Sequence, residues 1–172
     1  MKKNYKKIIV IIVAALIVVL GLVLTYFKVF YSDKYYTYID EEYKFKYSTN
    51  YRVERGEKSY TLRDINKGST ITILIYSKKD LSLRMDNIND ARGVMKKNLN
   101  DSLYVEKGFN CVDHVCSAEY KKDKKVAFLE LEFREDASYL YRMDIKEGNV
   151  DALKEKFELT TKSFVETKKS SE

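Results

Sequence analysis

The chain has 172 residues, with no proline or tryptophan, fifteen tyrosines and a formal net charge of +6. Four of its 32 basic residues precede the first apolar stretch and all 26 acidic residues follow it, so the rest of the chain carries 28 basic residues against 26 acidic ones. This near balance argues against nucleic acid as a partner. The abundance of lysine, tyrosine, isoleucine and asparagine favours a bacterium with a low-GC genome.

The apolar stretch Ile8–Phe27 is long enough to cross a membrane as a helix. Its twenty residues carry no charge, and at about 1.5 Å per residue such a helix spans about 30 Å, the thickness of the hydrocarbon core. Four lysines precede it: Lys2, Lys3, Lys6 and Lys7. An aromatic interfacial belt lies at its exit: Tyr26, Phe27, Phe30 and Tyr31. The positive-inside rule then leaves the N-terminus in the cytoplasm and the rest of the chain outside.

A cleaved secretory signal is the alternative for such a stretch. Signal peptides have an apolar region of about 7–15 residues and a cleavage site made of small residues. This stretch is longer, and its exit, LVLTYFKVFYSD, carries bulky side chains. We therefore predict an uncleaved, single-pass signal anchor that contacts membrane lipid through residues 8–27. The predicted organisation is a cytoplasmic N-terminus at 1–7, a juxtamembrane linker at 28–37, an extracytoplasmic domain at 38–166 and a flexible tail at 167–172.

Strand patterns fill the first part of that domain. In YKFKYSTNYRVE, Tyr43–Glu54, aromatic residues alternate with lysines, and Ser-Thr-Asn separates two predicted strands. A third strand is predicted over Tyr60–Ile65, and the β-branched run Thr70–Tyr76 is typical of a buried central strand. Between Asp86 and Ser102, apolar residues recur every three or four positions, which predicts an amphipathic helix.

Four more strands and a last helix follow. The strands are predicted at Tyr104–Val112, Val115–Lys121, Val126–Arg134 and Ser138–Ile145, and their short turns indicate an antiparallel meander. In the third of these strands, Leu129, Leu131 and Phe133 are expected to face the core, and Glu130 and Glu132 the solvent. The last helix has the apolar stripe Val150, Leu153, Phe157, Thr160 or Thr161, and Phe164. The fold class is α+β: a mainly antiparallel sheet with a central amphipathic helix and a C-terminal helix.

The two cysteines, Cys111 and Cys116, flank the turn between two of these strands. Outside the cytoplasm such a pair favours a disulfide, which pins the two arms of a hairpin. Two alternatives stay open: free thiols, or a thiol-redox or metal site that also uses His114. Zinc usually takes its ligands from two separated pairs, so a site packed into six residues suits a metal poorly.

The order and spacing of these elements resemble the Mog1/PsbP-like α/β/α sandwich of small bacterial envelope proteins. Three places carry the resemblance: YKFKYSTNYRVE at Tyr43–Glu54, the strands that end in Tyr139-Leu140-Tyr141, and a closing helix that finishes in Lys162-Ser163-Phe164. The resemblance covers residues 38–166. It implies a binding or assembly role and carries no catalytic residues.

No catalytic motif is recognisable in the sequence. The single histidine, His114, lies in a predicted turn, and no spacing of the six glycines is suited to cradle a phosphate. The tyrosines allow two interpretations: an aromatic platform for cell-wall sugars or peptides, or ordinary strand residues, which we favour.

From these observations we expect a non-enzymatic extracytoplasmic binding or assembly domain, with no cofactor and no metal, that acts with another membrane or envelope protein. The alternative is an extracytoplasmic sensor or carrier of a ligand or cell-wall fragment. That alternative requires a concave pocket between the sheet and a helix.

Overall fold

The structure, a computed structural model, describes residues 12–23, 34–77, 88–99, 102–135 and 137–167. The chain divides into two units, Met1–Lys34 and Tyr35–Glu172.

In the first unit, residues 12–23 form helix α1. Its large apolar side chains are 43–66% exposed. Within the described residues, no helix is both long enough and apolar enough to cross a membrane. The predicted anchor continues on both sides of α1, at residues 8–11 and 24–27, which lie outside the described residues. The predicted topology and belt residues lie outside them too: Lys2, Lys3, Lys6, Lys7, Tyr26, Phe27, Phe30 and Tyr31.

The described part of the second unit contains ten strands and two helices. The strands are β1 (Tyr35–Ile39), β2 (Tyr43–Ser48), β3 (Tyr51–Arg55), β4 (Ser59–Asp64), β5 (Ser69–Ser77), β6 (Val105–Val112), β7 (Val115–Lys122), β8 (Lys125–Phe133), β9 (Ala137–Ile145) and β10 (Val165–Glu166). The helices are α2 (Ile88–Lys97), which follows β5, and α3 (Val150–Ser163), which follows β9.

Within the described residues these strands form two antiparallel sheets. The larger has seven strands in the order β3-β4-β5-β9-β8-β7-β6, and the smaller has the order β1-β2-β10. The predicted meander is confirmed, since β6, β7, β8 and β9 are consecutive neighbours. β9 also pairs with β5 along its whole length. This pairing joins the two halves of the domain into one sheet.

β1 corrects one predicted boundary. It begins at Tyr35, inside the segment 28–37 that was predicted as a linker, and pairs with β2. The ring of Tyr38 stacks on Phe45, with centroids 5.0 Å apart. Burial of aromatic surface, rather than a sequence period, makes this stretch a strand. The folded unit therefore begins at Tyr35 and not at residue 38.

Both faces of the large sheet are covered, which gives a three-layer sandwich. On one face, α3 and the small sheet pack over a core that includes Phe128 and Tyr141. On the other face, Ala91 and Met95 of α2 pack over a second core that includes Leu129. Sheets covered in this way have strands with apolar residues on both sides.

Double coverage overturns the expectation for Glu130 and Glu132. Leu129 and Leu131 of β8 face α2 as predicted. The two glutamates lie on the α3 side and are half-buried, so neither occupies a solvent-facing surface of the sheet. The run Val126-Ala127-Phe128-Leu129 is buried at every position, which is the pattern of a strand that is covered on both faces.

Phe164, directly after α3, is the centre of an aromatic cluster that joins the two sheets. Its ring centroid lies 5.0 Å from that of Tyr43 and 5.6 Å from that of Phe45 in the small sheet. It also lies 5.3 Å from that of Tyr139 in the large sheet. Phe164 is 1% exposed. Each such ring pair adds about 0.5–1.5 kcal/mol beyond the area that it buries. Much of the tyrosine content therefore serves the core, the interpretation favoured from the sequence.

Helix α3 begins where the sequence predicts. The Asn149 side chain accepts hydrogen bonds from the backbone N–H groups of Asp151 (3.0 Å) and Ala152 (3.2 Å), which caps the first turn. Gly148 has φ of 117°, a left-handed conformation that favours glycine. The predicted stripe faces the core: Phe157 and Thr160 are buried, and Val150, Leu153 and Phe164 pack in the same cluster.

Candidate functional site

The two cysteines are opposite each other at the tip of the β6–β7 hairpin. Cys111 pairs with Cys116 in the ladder, and a disulfide joins them, with Cα atoms 4.0 Å apart. The turn between the strands consists of Asp113, with φ of 52°, and His114. The cross-link therefore pins the two arms directly beside their turn.

In the disulfide form both sulfurs are bonded to each other, so neither is a thiolate ligand or nucleophile. Both cysteines belong to the core under α2, and Cys116 is 6% exposed. His114 is exposed in the turn. Within the described residues, no group of three or more histidine, cysteine or acidic side chains is arranged to hold a metal ion.

A groove of about 560 Å³ lies on the opposite face of the same hairpin, between α3 and strands β6, β7 and β8. Its floor includes the rings of Phe128 and Phe157, which are 6% and 4% exposed. Two short residues, Gly108 opposite Glu119 and Ser117 opposite Asn110, lie on the groove side of β6 and β7 and leave the space open. Charged side chains line its walls: Glu119, Glu130, Lys154, Glu158 and Lys162.

Most of these charges already have partners. Glu119 pairs with Lys121 at 2.9 Å, and Lys162 pairs with Glu158 at 2.9 Å. The Lys154 ammonium lies 5.3 Å from the ring centroid of Phe128. The walls of the groove are therefore ordered by contacts within the domain.

Glu130 is the exception, because it is half-buried beside α3 and forms no ion pair with another described residue. Burial raises the pKa of its carboxyl, and the carboxylates of Glu132 and Glu158 act in the same direction. The nearby Thr161 hydroxyl and the charge of Lys162 oppose that rise in pKa. The groove therefore contains one carboxyl that is costly to keep ionised.

Glu132 has a different role, although it is on the same strand face. It accepts hydrogen bonds from Arg134 Nε at 2.8 Å and from the Tyr141 hydroxyl at 2.8 Å. Arg134 in turn donates to the carbonyl of Phe164 at 2.8 Å. Glu132 therefore connects β8, β9 and the end of α3, the pairing with a basic residue that is common for such carboxylates.

The groove adjoins the edge of the large sheet. β6 is the last strand in the sheet order, and in the described part of the chain no strand pairs with its outer side. A bulge interrupts the ladder between Glu106 and Gly108, and the pairing is regular from Gly108 to Val112. Bulges protect sheet edges, so the regular part next to the groove is the accessible part of this edge.

Comparison with known proteins shows a likeness of fold. No family model matches the chain, and no curated protein is similar to it at the level required for a match. The solution structure of cyanobacterial PsbP (CyanoP) from Synechocystis sp. PCC 6803 matches with a TM-score of 0.57 and 15% identity, over 79% of this chain and 93% of that chain. A crystal structure from Bacteroides thetaiotaomicron VPI-5482 has a TM-score of 0.49 and 13% identity, over 78% of this chain and 49% of that one. The chain has a PsbP-like fold, which confirms the resemblance carried by its motifs.

Proposed function

We propose that this protein is a single-pass, membrane-anchored extracytoplasmic protein whose domain binds or assembles with another envelope protein without catalysing a reaction. The observation that carries the proposal is the groove of about 560 Å³ beside the open edge of β6. The groove accepts an extended segment of the partner.

The backbone of β6 supports an extended ligand. The Cα atoms of Cys111 and Cys116 are 4.0 Å apart, which is the closer spacing of a non-hydrogen-bonded antiparallel pair. In an edge strand the N–H and C=O groups of such residues point away from the neighbouring strand. Phe109, two residues earlier, has the same orientation. Phe109 and Cys111 therefore offer backbone groups to an additional strand.

The groove supplies places for the side chains of that strand. Alternate side chains of an added strand project onto the face where α3 lies. Gly108 and Asn110 of β6 border the groove on this face, so a long side chain of the added strand can pass over them into it. Glu119 of β7 and Glu130 of β8 line the groove beyond them, so a long basic side chain matches this lining.

The anchor limits where the partner can be. Helix α1 is apolar and exposed, as expected for a segment that contacts lipid, and the uncharged stretch continues to Phe27 in the sequence. Only residues 28–34 separate that stretch from the folded unit. A partner bound to the domain is therefore itself a membrane protein or lies close to the membrane.

Site-specific photocrosslinking in intact cells tests this proposal. A benzophenone amino acid replaces Asn110, which is exposed on β6 and lines the groove. We expect a discrete crosslinked adduct, because the probe is then in contact with the partner segment. Adding Ser117→Lys to the same chain fills the groove and should reduce the adduct severalfold.

The matched control places the same probe at Arg52, which is exposed on β3 at the opposite edge of the sheet. No adduct is expected there. Absence of an adduct at Asn110, or equal adducts at both positions, contradicts the proposal.

A small ligand of the cell wall is the second candidate, favoured by the size of the groove. Its volume of about 560 Å³ falls within the range of about 300–1,000 Å³ that is common for small-molecule sites. A mixture of peptidoglycan fragments should then raise the unfolding temperature of the purified protein and leave that of Ser117→Lys unchanged.

A further inference from the structure

A second cavity, of about 660 Å³, lies on the α2 face of the sheet, opposite the groove. Helix α2 packs on β7 and β8, and among the described residues no helix packs on the neighbouring part of β4, β5 and β9 on this face. The cavity is built over this uncovered part, next to the C-terminal end of α2.

The register of the sheet places hydroxyl and guanidinium groups side by side on the floor of this cavity. Thr61 is opposite Thr72, and Thr72 is opposite Arg142, so the three form one row across β4, β5 and β9. Arg63 and Thr70 are opposite each other in the next row. Residues opposite each other in a ladder project on the same face. The floor is therefore rich in hydrogen-bond donors.

Arg142 is a fixed cation at the centre of this floor. It is 8% exposed. Its Nη2 donates to Asp144 at 2.6 Å and its Nη1 donates to the carbonyl of Asn98. These contacts orient the guanidinium, so little conformational entropy is lost when a ligand binds beside it.

Three lysines add positive charge at the rim: Lys97, Lys125 and Lys146. Each is exposed. No ion pair joins any of the three to a residue of the described part of the chain. The opposing charges at the cavity are Asp144, bound to Arg142, and Glu54, which lies 3.0 Å from Arg63. The cavity is therefore locally basic within a domain whose total charge is nearly balanced.

We infer that this cavity binds a phosphate group, carried either by a small soluble anion or by a lipid headgroup. A tetrahedral phosphate accepts hydrogen bonds from donors around it, which suits threonine hydroxyls below and lysine ammoniums at the rim. A carboxylate suits the site less, because it has two acceptor oxygens and a phosphate has more, so the phosphate can accept from more of these donors at once.

The test uses the full chain in a neutral detergent and measures its unfolding temperature. Sodium phosphate is titrated against sodium chloride at equal ionic strength. A parallel series uses micelles doped with phosphatidylglycerol or, as control, with diacylglycerol, which lacks the phosphate. We expect a saturable rise in the unfolding temperature with phosphate or with phosphatidylglycerol, because a ligand that binds only the folded state stabilises it.

Lys125→Gln/Lys146→Gln should weaken the apparent affinity roughly tenfold, since each lysine contributes a charge-assisted hydrogen bond. Lys44→Gln/Lys46→Gln removes the same charge at two exposed positions of β2, outside both cavities, and should leave the affinity unchanged. Thr72→Val removes one hydroxyl but keeps nearly the same volume and the same net charge. It should also weaken the binding of phosphate.

A response to phosphate identifies a soluble anion, and a response to phosphatidylglycerol alone identifies a lipid headgroup. The inference is overturned if neither series exceeds its control, or if the two double variants lose affinity equally.

Discussion

At the scale of single residues, Glu130 is the carboxyl of the groove whose pKa is shifted by its surroundings. It is half-buried, and burial together with the nearby Glu132 and Glu158 raises its pKa. The folded protein therefore holds a proton on Glu130 at a pH where the unfolded chain has released it. In that range the free energy of unfolding falls as the pH rises, because the folded state binds more protons than the unfolded state.

Glu130→Gln removes this cost. We expect a higher free energy of unfolding at pH 7, by less than about 1 kcal/mol, because the amide stays neutral in the groove. The gain should shrink as the pH falls to 4, because an ordinary glutamate is mostly protonated there and the raised pKa of Glu130 keeps its carboxyl protonated to a greater extent. Urea unfolding at both pH values measures the difference.

Glu57→Gln, in the exposed turn between β3 and β4, is the control and should change little at either pH. An equal loss of stability at pH 7 and pH 4 in Glu130→Gln contradicts the raised pKa of Glu130, since an effect that does not depend on pH does not come from ionisation.

At the scale of elements, the strands with a clear period are those that the sequence predicts. β7, β8 and β9 lie within about one residue of their predicted bounds, because alternating residues and short turns define them. β10 has two residues, which are too few to show a period. In β1, Tyr38 marks the apolar face, and it does so through its contact with Phe45 of β2. Such short strands form because they pair with a neighbouring strand, here β2, and the sequence alone does not show which strand that is.

The groove and the basic cavity were not predictable for a related reason. Periodicity identifies strands but not their neighbours, and β9 pairs both with β8 and with the distant β5. That pairing sets Arg142 beside Thr72. Likewise, Glu130 falls in a groove only because α3 covers the outer side of β8. The buried run Val126–Leu129 was the signal that both faces of β8 are covered.

The disulfide holds β6 to β7, and within the described residues β7 is the one strand that pairs with β6. Reduction of the disulfide, or Cys111→Ala/Cys116→Ala, should lower the free energy of unfolding by about 2 kcal/mol, the value for a loop of this size. Urea unfolding with and without reductant measures the effect.

The double variant provides the control, because reductant should have no effect on its stability. Mass spectrometry of the untreated protein should show a deficit of two protons. Equal stability of the oxidised and reduced wild-type protein contradicts the expected role of the cross-link.

At the scale of the whole molecule, the two faces of the sheet differ in chemistry although the total charge is nearly balanced. The groove is lined by three carboxyls, two ammoniums and aromatic rings, whereas the cavity on the α2 face is lined by threonines and by two arginines and three lysines against one aspartate. Net charge therefore conceals the separation of charge between the faces. This is why composition gave no reason to expect an anionic ligand.

The proposed anchor is also tested at this scale. The full chain should stay in the membrane pellet after extraction with alkaline carbonate. Leu16→Lys/Val19→Lys should be extracted, because each charge at the centre of a spanning helix costs about 2.5–3.5 kcal/mol. Immunoblots of pellet and supernatant measure the distribution.

Ile39→Lys/Leu103→Lys makes the same kind of change at exposed positions of the folded unit and should stay in the pellet. The proposed anchor is contradicted if the wild-type chain is extracted, or if the two double variants distribute equally between pellet and supernatant.

The aromatic cluster around Phe164 has a consequence for how the protein is made. The N–H of Lys46 donates to Ser163, 117 residues later in the chain, and β10 completes the small sheet beside β2. When the first strands leave the ribosome, β10 and Phe164 have therefore not yet been made, and both the small sheet and the aromatic cluster are incomplete. The domain reaches its native state only after synthesis passes residue 166, so its early strands need protection from aggregation until the final residues emerge.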